Sequence, residues 1–169
     1  MTGLVLAEGP SEEVAVTLAA LVPAVVEGLL GDAVVIARQP DPAVATIAEI
    51  AGASLAVAPG KADPWQAGGR LARREWLLCL KSGDVPGEGW MRAVDRFLAA
   101  AVREGRPLGR FSRTGPGAAA ALSRLAEAMA GTRTVRAGDV VQRDWLASRG
   151  GARVRPVRIA ARIERDPVR

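Results

Sequence analysis

Six charged side chains, Glu8, Arg38, Asp41, Lys61, Lys81 and Asp84, each follow closely on a short apolar run of the chain. Lysine and arginine at such places hold phosphates, lysine as a compact charge and arginine as a planar fork. A carboxylate there takes up a hydroxyl group, a divalent cation or a proton. The residues that are missing narrow the chemistry further. The chain has no histidine, which removes every mechanism that needs an imidazole base or ligand. Its single cysteine, Cys79, rules out an intramolecular disulfide and a Cys-rich zinc site, and in its apolar setting it reads as a small buried hydrophobe. Glu8-Gly9-Pro10-Ser11 is not a glycine-rich dinucleotide fingerprint, and no phosphate loop ending in Gly-Lys-Ser/Thr occurs. Nicotinamide dehydrogenases and P-loop nucleotidases are thereby disfavoured.

The elements that must position these charges can be read from the breakers between them. Residues 4–7 form an apolar strand stopped by Glu8-Gly9-Pro10. Ser11 reads as the N-cap of a helix with Glu12 and Glu13 in its first turn, where the helix dipole favours negative charge. That helix is expected to bend at Pro23 and to reach residue 30. A second strand over 33–37 leads to Asp41, which caps a helix over 43–51 with Pro42 in its first position. A third strand over 54–58, a helix over 65–74 and a wholly apolar, central strand over 76–80 follow. Strands alternating with helices imply right-handed crossovers and a parallel sheet covered on both faces. Ligands of such sheets lie beyond the carboxyl ends of the strands, where the six charges fall. Lys61, Lys81 and Asp84 are expected to converge there.

The second half is less regular. Residues 83–89 read as a loop, and 90–103 as an amphipathic helix burying Met91, Val94, Leu98 and Val102. A strand over 108–112, an Ala-rich helix over 118–130, a short helix over 144–148 and a last strand over 154–159 complete the pattern.

With 169 residues, 49% of them hydrophobic and 24% charged, the chain has the makings of one globular domain. The first 13 residues carry three glutamates and no basic residue, the reverse of a signal peptide. The longest apolar stretch, 14–26, is too short to span a bilayer, so the expectation is a cytoplasmic protein. Charge is divided unevenly. Residues 1–69 hold two basic and eight acidic side chains, whereas 70–169 hold 21 and 10. The basic half attracts anions: nucleotides, phosphorylated lipids, the surface of an anionic membrane or nucleic acid. Nucleic acid is not the expected partner. Phe97 and Phe111 are the sole phenylalanines, tyrosine is absent, and the four tryptophans read as core rather than as base platforms.

The stretch 60–90, GKADPWQAGGRLARREWLLCLKSGDVPGEGW, resembles the centre of the family 2 glycosyltransferases. Those enzymes carry a Gly-Arg/Lys-Gly-x-Gln-x-Asn-x-Gly-x-x-x-Ala helix, an apolar strand, a D-x-D triplet, a short loop, and Gly-Trp opening a helix. Gly60, Lys61, Gly68, Ala72, Trp76, Leu77, Leu78, Leu80, Gly89 and Trp90 match without a gap. Weaker echoes are Ser11-Glu12-Glu13 after the first strand, a Gly-Asp to Gly-Gly stretch from Gly138-Asp139 to Gly151, and Ala161-Arg162 to Asp166.

The resemblance implies an α/β chain of GT-A type, a three-layer αβα sandwich about a mostly parallel central sheet. In a single domain over 1–169, residues 1–90 would be the nucleotide-sugar-binding half and 91–169 a shortened acceptor-side half. It implies a nucleotide-sugar donor in contact with Glu8, Arg38, Asp41, Lys61, Gln66, Arg70, Lys81 and Ser82, with Asp84 as the catalytic carboxylate. It also implies Mg²⁺ or Mn²⁺, since the D-x-D carboxylates of the family hold a dication on the departing diphosphate. The aligned triplet here is Lys81-Ser82-Gly83, with Asp84 one residue late. A lysine repels a dication and contacts phosphate itself, so Lys61, Lys81 and Arg70 stand in for the metal on this reading. Ala37 and Arg38 replace the acidic base-binding position, and Pro64 and Gln66 replace the helix Gln and Asn. The Glu-Asp pair that supplies the family's acceptor base has no counterpart. Two alternatives stay open beside a divergent sugar transferase: an inactive relative that binds an anion or a protein partner, and a basic nucleic-acid binder.

Overall fold

The fold is taken from a computed structural model that describes residues 1–113, 130–148 and 153–165. Four strands, β1 (Thr2–Leu6), β2 (Asp32–Ala37), β3 (Ser54–Val57) and β4 (Trp76–Lys81), run parallel in the order β3-β2-β1-β4. Helices α1 (Ser11–Val26), α2 (Pro42–Ile50) and α3 (Pro64–Leu71) make the crossovers between them. β1 is buried along its whole length, as an apolar run with helices over both faces requires. Alternate side chains feed two separate cores. Val5, Leu78 and Leu80 pack with α1 and α2, whereas Leu4, Leu6, Leu77 and Cys79 pack under Trp65 of α3.

The remaining elements are β5 (Asp84–Pro86), α4 (Trp90–Glu104), β6 (Leu108–Arg113), β7 (Asp139–Gln142), α5 (Arg143–Ala147) and β8 (Val157–Arg165). They extend the sheet to eight strands, β3-β2-β1-β4-β7-β6-β8-β5. β7 enters antiparallel between β4 and β6, and β6 and β8 pair in parallel. α4 seals the α1 side, with Phe97 edge-on to Trp76 at 5.6 Å between ring centres, and α5 joins α3 on the opposite face through Leu146. The result is a three-layer αβα sandwich about one mixed, mostly parallel sheet. Ser82 and Gly83 alone separate β4 from β5, yet β5 pairs with residues 163–165 of β8. The arginine-rich end of β8 therefore crosses close to the carboxyl end of β4.

Several local expectations are corrected. Pro10, not Ser11, occupies the N-cap of α1, and the Ser11 hydroxyl donates to Glu12. α1 runs through Pro23 and stops at Val26, because Gly28 adopts φ +77° and reverses the chain. α3 ends at Leu71, three residues early. The loop expected over 83–89 contains β5. Val102 is 71% exposed; the buried stripe of α4 is Trp90, Ala93, Val94, Phe97 and Ala101, in which alanines let the helix lie close to the sheet. The last strand begins at Val157 rather than 154. The helix expected over 118–130 falls outside the described residues except for its final position. Among the described residues no helix is long and apolar enough to cross a membrane.

Close packing of α3 on the sheet depends on Gly68. A Cβ there would lie 2.6 Å from Ile36 Cδ1 and 2.9 Å from its Cγ1. Gly68→Val is expected to cost about 1–3 kcal/mol by overpacking. Urea unfolding would register this as a lower midpoint; a midpoint equal to the parent's would contradict the packing argument.

Candidate functional site at the carboxyl ends of the parallel strands

Strand parity sets the direction of the charges. Leu4 and Leu6 face α3, so Glu8, two residues on, continues that row past the end of β1. Leu77 and Cys79 do the same for Lys81, and Val34 and Ile36 for Arg38. Lys81 Nζ meets Glu8 Oε2 at 2.7 Å, with the two side chains 38% and 42% exposed. The turn beneath Lys81 is pinned throughout. Ser82 N–H donates to Leu6 O (2.9 Å), and Gly83 N–H, at φ +80°, donates to Glu13 O (3.0 Å). The Ser82 hydroxyl, fully buried, accepts from Glu8 N–H (3.0 Å) and donates to the Glu8 carbonyl. Asp84, 1% exposed, accepts the Lys81 N–H at 2.8 Å. Lys81 thus rides on a fixed platform, with its half-exposed ammonium paired to Glu8.

The other expected site residues are distributed as follows. Arg38 donates to Ala62 O (2.8 Å) and braces the loop before α3. Asp41 caps α2, accepting from Ala43 N–H (2.9 Å) and Val44 N–H (3.3 Å). Lys61 is exposed on the loop after β3, next to Ala62, whose carbonyl receives Arg38. Gln66 and Arg70 line a groove of about 290 Å³ between α3 and α5, together with Arg143 and Asp144. Gln66 donates to Leu146 O at 3.4 Å. Ser82 and Asp84 serve the turn, their polar atoms turned inward.

A second charged group lies one strand further along. Asp139, fully buried at the start of β7, pairs with Arg110 of β6 through Arg110 Nε (2.6 Å) and Nη2 (2.8 Å). Arg136 N–H adds a third contact to its carboxylate, at 3.0 Å. Burial pushes the Asp139 carboxyl above the usual carboxylate range, and the Arg110 fork opposes that pull. Burial, and then the neighbouring Arg110 charge, lower the Arg136 guanidinium. The echo at Gly138-Asp139 marked this place in the sequence, but nothing local tied Arg110 or Arg136 to it. On the α1 side Glu13 is buried with Arg165 Nη2 3.5 Å from its Oε2, an oxygen that accepts no hydrogen bond. Cys79 is fully buried, and burial pushes its thiol well up, so it is inert.

The donor set at the end of β4 does not fit Mg²⁺ or Mn²⁺. Such ions need several oxygen ligands. Here an ammonium occupies the first position, the Ser82 hydroxyl and Asp84 Oδ2 are engaged by backbone groups, and the Glu8 carboxylate is neutralised by Lys81. Among the described residues no three of His, Cys, Asp and Glu gather as a metal cage.

No protein-family model and no curated protein sequence matches the chain. Solved structures match it in fold. Glucosyl-3-phosphoglycerate synthase of Mycobacterium tuberculosis, in complex with Mn²⁺ and UDP-glucose, is 17% identical with a TM-score of 0.59, over 85% of this chain and 56% of that one. Mannosyl-3-phosphoglycerate synthase of Rubrobacter xylanophilus is 14% identical with a TM-score of 0.63, over 88% and 55%. A mycobacterial protein aligns over the whole of this chain and 68% of its own, at 14% identity and a TM-score of 0.65. The two synthases are glycosyltransferases of GT-A type, and the chain shares their fold. It spans little more than half of their length.

Proposed function

We propose that the chain binds a nucleoside-diphosphate sugar over the carboxyl ends of β1, β2 and β4, and that Lys81 takes the place of the divalent cation. The observation that carries this reading is the Lys81–Glu8 pair on its pinned turn, at the strand end where the resembling family holds its metal. A half-exposed ion pair contributes only about 0.2–1 kcal/mol. A charge-assisted hydrogen bond to phosphate contributes about 1.5–3 kcal/mol, so Lys81 gains by exchanging Glu8 for the diphosphate. Glu8 is then left to accept from a sugar or ribose hydroxyl. Arg38, braced over the loop before α3, flanks the nucleoside end.

Transfer forms a bond from an acceptor hydroxyl oxygen to the anomeric carbon while the bond from that carbon to the diphosphate oxygen breaks. The hydroxyl proton passes to a base or to water, and Lys81 offsets the charge that collects on the departing diphosphate. The similar synthases, crystallised with UDP-glucose, support a donor of this class. A thermal-shift screen of UDP- and GDP-sugars tests the reading. A ligand at a hundred times its dissociation constant adds about 2.7 kcal/mol, a plain rise in melting temperature. No rise with any nucleotide sugar would refute it.

A further inference from the structure

The two margins of the sheet are built differently. At one, β5 is three residues long and ends in Pro86, features that discourage a further strand. At the other, β3 reads Ser54-Leu55-Ala56-Val57, with no charge, no proline and no bulge. Among the described residues no strand lies on its outer side. Ala58 N–H donates to Ala37 O (2.9 Å), so the backbone groups of Ala58 and, by alternation, Ala56 face β2. Those of Leu55 and Val57 therefore point outward. Parity also sets the side chains. Ala56 is buried in the core on the α3 side, whereas Leu55 and Val57 lie on the α2 side, 36% and 42% exposed.

We infer that a second copy of this chain pairs with β3 along that margin, antiparallel about a twofold axis at Ala56, so that the two sheets join. The pairing does not depend on donor binding. In this register Leu55 of each copy stands opposite Val57 of the other, and each such couple exchanges both of its N–H···O=C bonds, which satisfies every outward group of Leu55 and Val57. Opposed residues share a face, so Leu55 and the partner's Val57 cover one another on the α2 side. An axis normal to the sheet keeps both α2 helices on that same face, side by side over these couples. Charge selects the antiparallel sense. Lys61 follows the carboxyl end of β3 and Glu49 precedes its amino end; both are exposed, and neither has an ion-pair partner among the described residues. Antiparallel pairing sets the basic end of each strand beside the acidic end of the other, whereas parallel pairing would set like against like. The assembly closes at two copies, because a twofold uses the same strand from both and β5 offers no equivalent edge.

Sedimentation velocity of the full chain, at concentrations up to roughly 100 μM, measures the association. The parent should show a reversible monomer–dimer equilibrium. Leu55→Lys and Val57→Lys put a charge on the margin, as protected edge strands do, and each should raise the dissociation constant about tenfold or more. Val102→Ser, a like change on the outer side of α4, should leave it unaltered. Lys61→Glu should weaken the dimer about threefold or more, and Glu49→Lys added to it should restore the parent affinity. Hydrogen exchange in the parent reads the pairing itself and stands whether or not a variant folds. The Leu55 and Val57 amides should exchange about tenfold more slowly in concentrated than in dilute protein. A parent that stays monomeric throughout overturns the inference. So does a dimer that survives both lysine variants, which would assign the contact to another face, such as exposed Val22, Val26 and Ile50 of α1 and α2. Leu55 and Val57 amides equally protected at every concentration also overturn it, since the edge would then be covered within one chain.

Discussion

Arg110→Ala is expected to destabilise the chain by about 3–5 kcal/mol, because it strands a fully buried carboxylate. Asp139 is 0% exposed and Arg110 13%, and the two Arg110 contacts of 2.6 and 2.8 Å are its principal compensation. The pair also joins β6 to β7, the strand that attaches the second half of the sheet to β4. For a domain of this length each kcal/mol shifts melting by about 2–4 °C, so a fall of about 6–20 °C follows. Differential scanning calorimetry checks it. Burial raises the folded-state pKa of Asp139, and the Arg110 fork opposes that rise. Without Arg110 that rise grows. The deficit of the variant should then be smaller at low pH, as Asp139 takes up its proton, and should deepen as pH rises through its folded pKa. Replacing both partners, Arg110→Met with Asp139→Leu, should recover most of the loss, since an apolar pair leaves no charge stranded. Melting of Arg110→Ala within two degrees or so of the parent would contradict the account.

Lys81→Ala is expected to weaken nucleotide-sugar binding about tenfold to a hundredfold. The lost hydrogen bond to a charged group accounts for about 1.5–3 kcal/mol, and each 1.4 kcal/mol is tenfold. Repulsion adds to it, for Glu8 then faces the diphosphate with no counter-charge. Glu8→Gln in the Lys81→Ala background should recover part of the affinity. Melting temperature should hardly change, because a half-exposed pair stabilises little. Calorimetric titration of the two variants against the parent measures this. Undiminished affinity in Lys81→Ala would move the diphosphate away from the end of β4.

The parallel half of the fold was legible because its information is local. Continuous apolar runs such as Trp76 to Leu80 can be satisfied only by burial on both faces, and Asp41-Pro42 marks a helix start by its chemistry alone. Topology then placed Glu8 and Lys81 at neighbouring strand ends, where they meet. Strand order is what the sequence pattern leaves open, and it sets β3, the strand before Lys61, at the sheet edge. The second half depends on distant pairings. β5 is three residues long with a proline at its end, and becomes a strand only because β8, some eighty residues later, lies beside it. Arg110 and Asp139 meet because β7 inserts between β4 and β6, an event with no local signature. Val102 misled for a different reason. The close approach of α4 to the sheet is made by Ala93 and Ala101, small residues that carry little weight in a hydrophobic pattern.

The central claim is that an ammonium group replaces the dication at the end of β4, and titration of UDP- and GDP-sugars in EDTA, repeated in Mn²⁺, meets it head on. The account predicts saturable binding in EDTA to at least one donor, with an affinity that Mn²⁺ leaves within about threefold and Lys81→Ala lowers about tenfold or more. Binding that appears only with Mn²⁺, and that persists in Lys81→Ala, would contradict it.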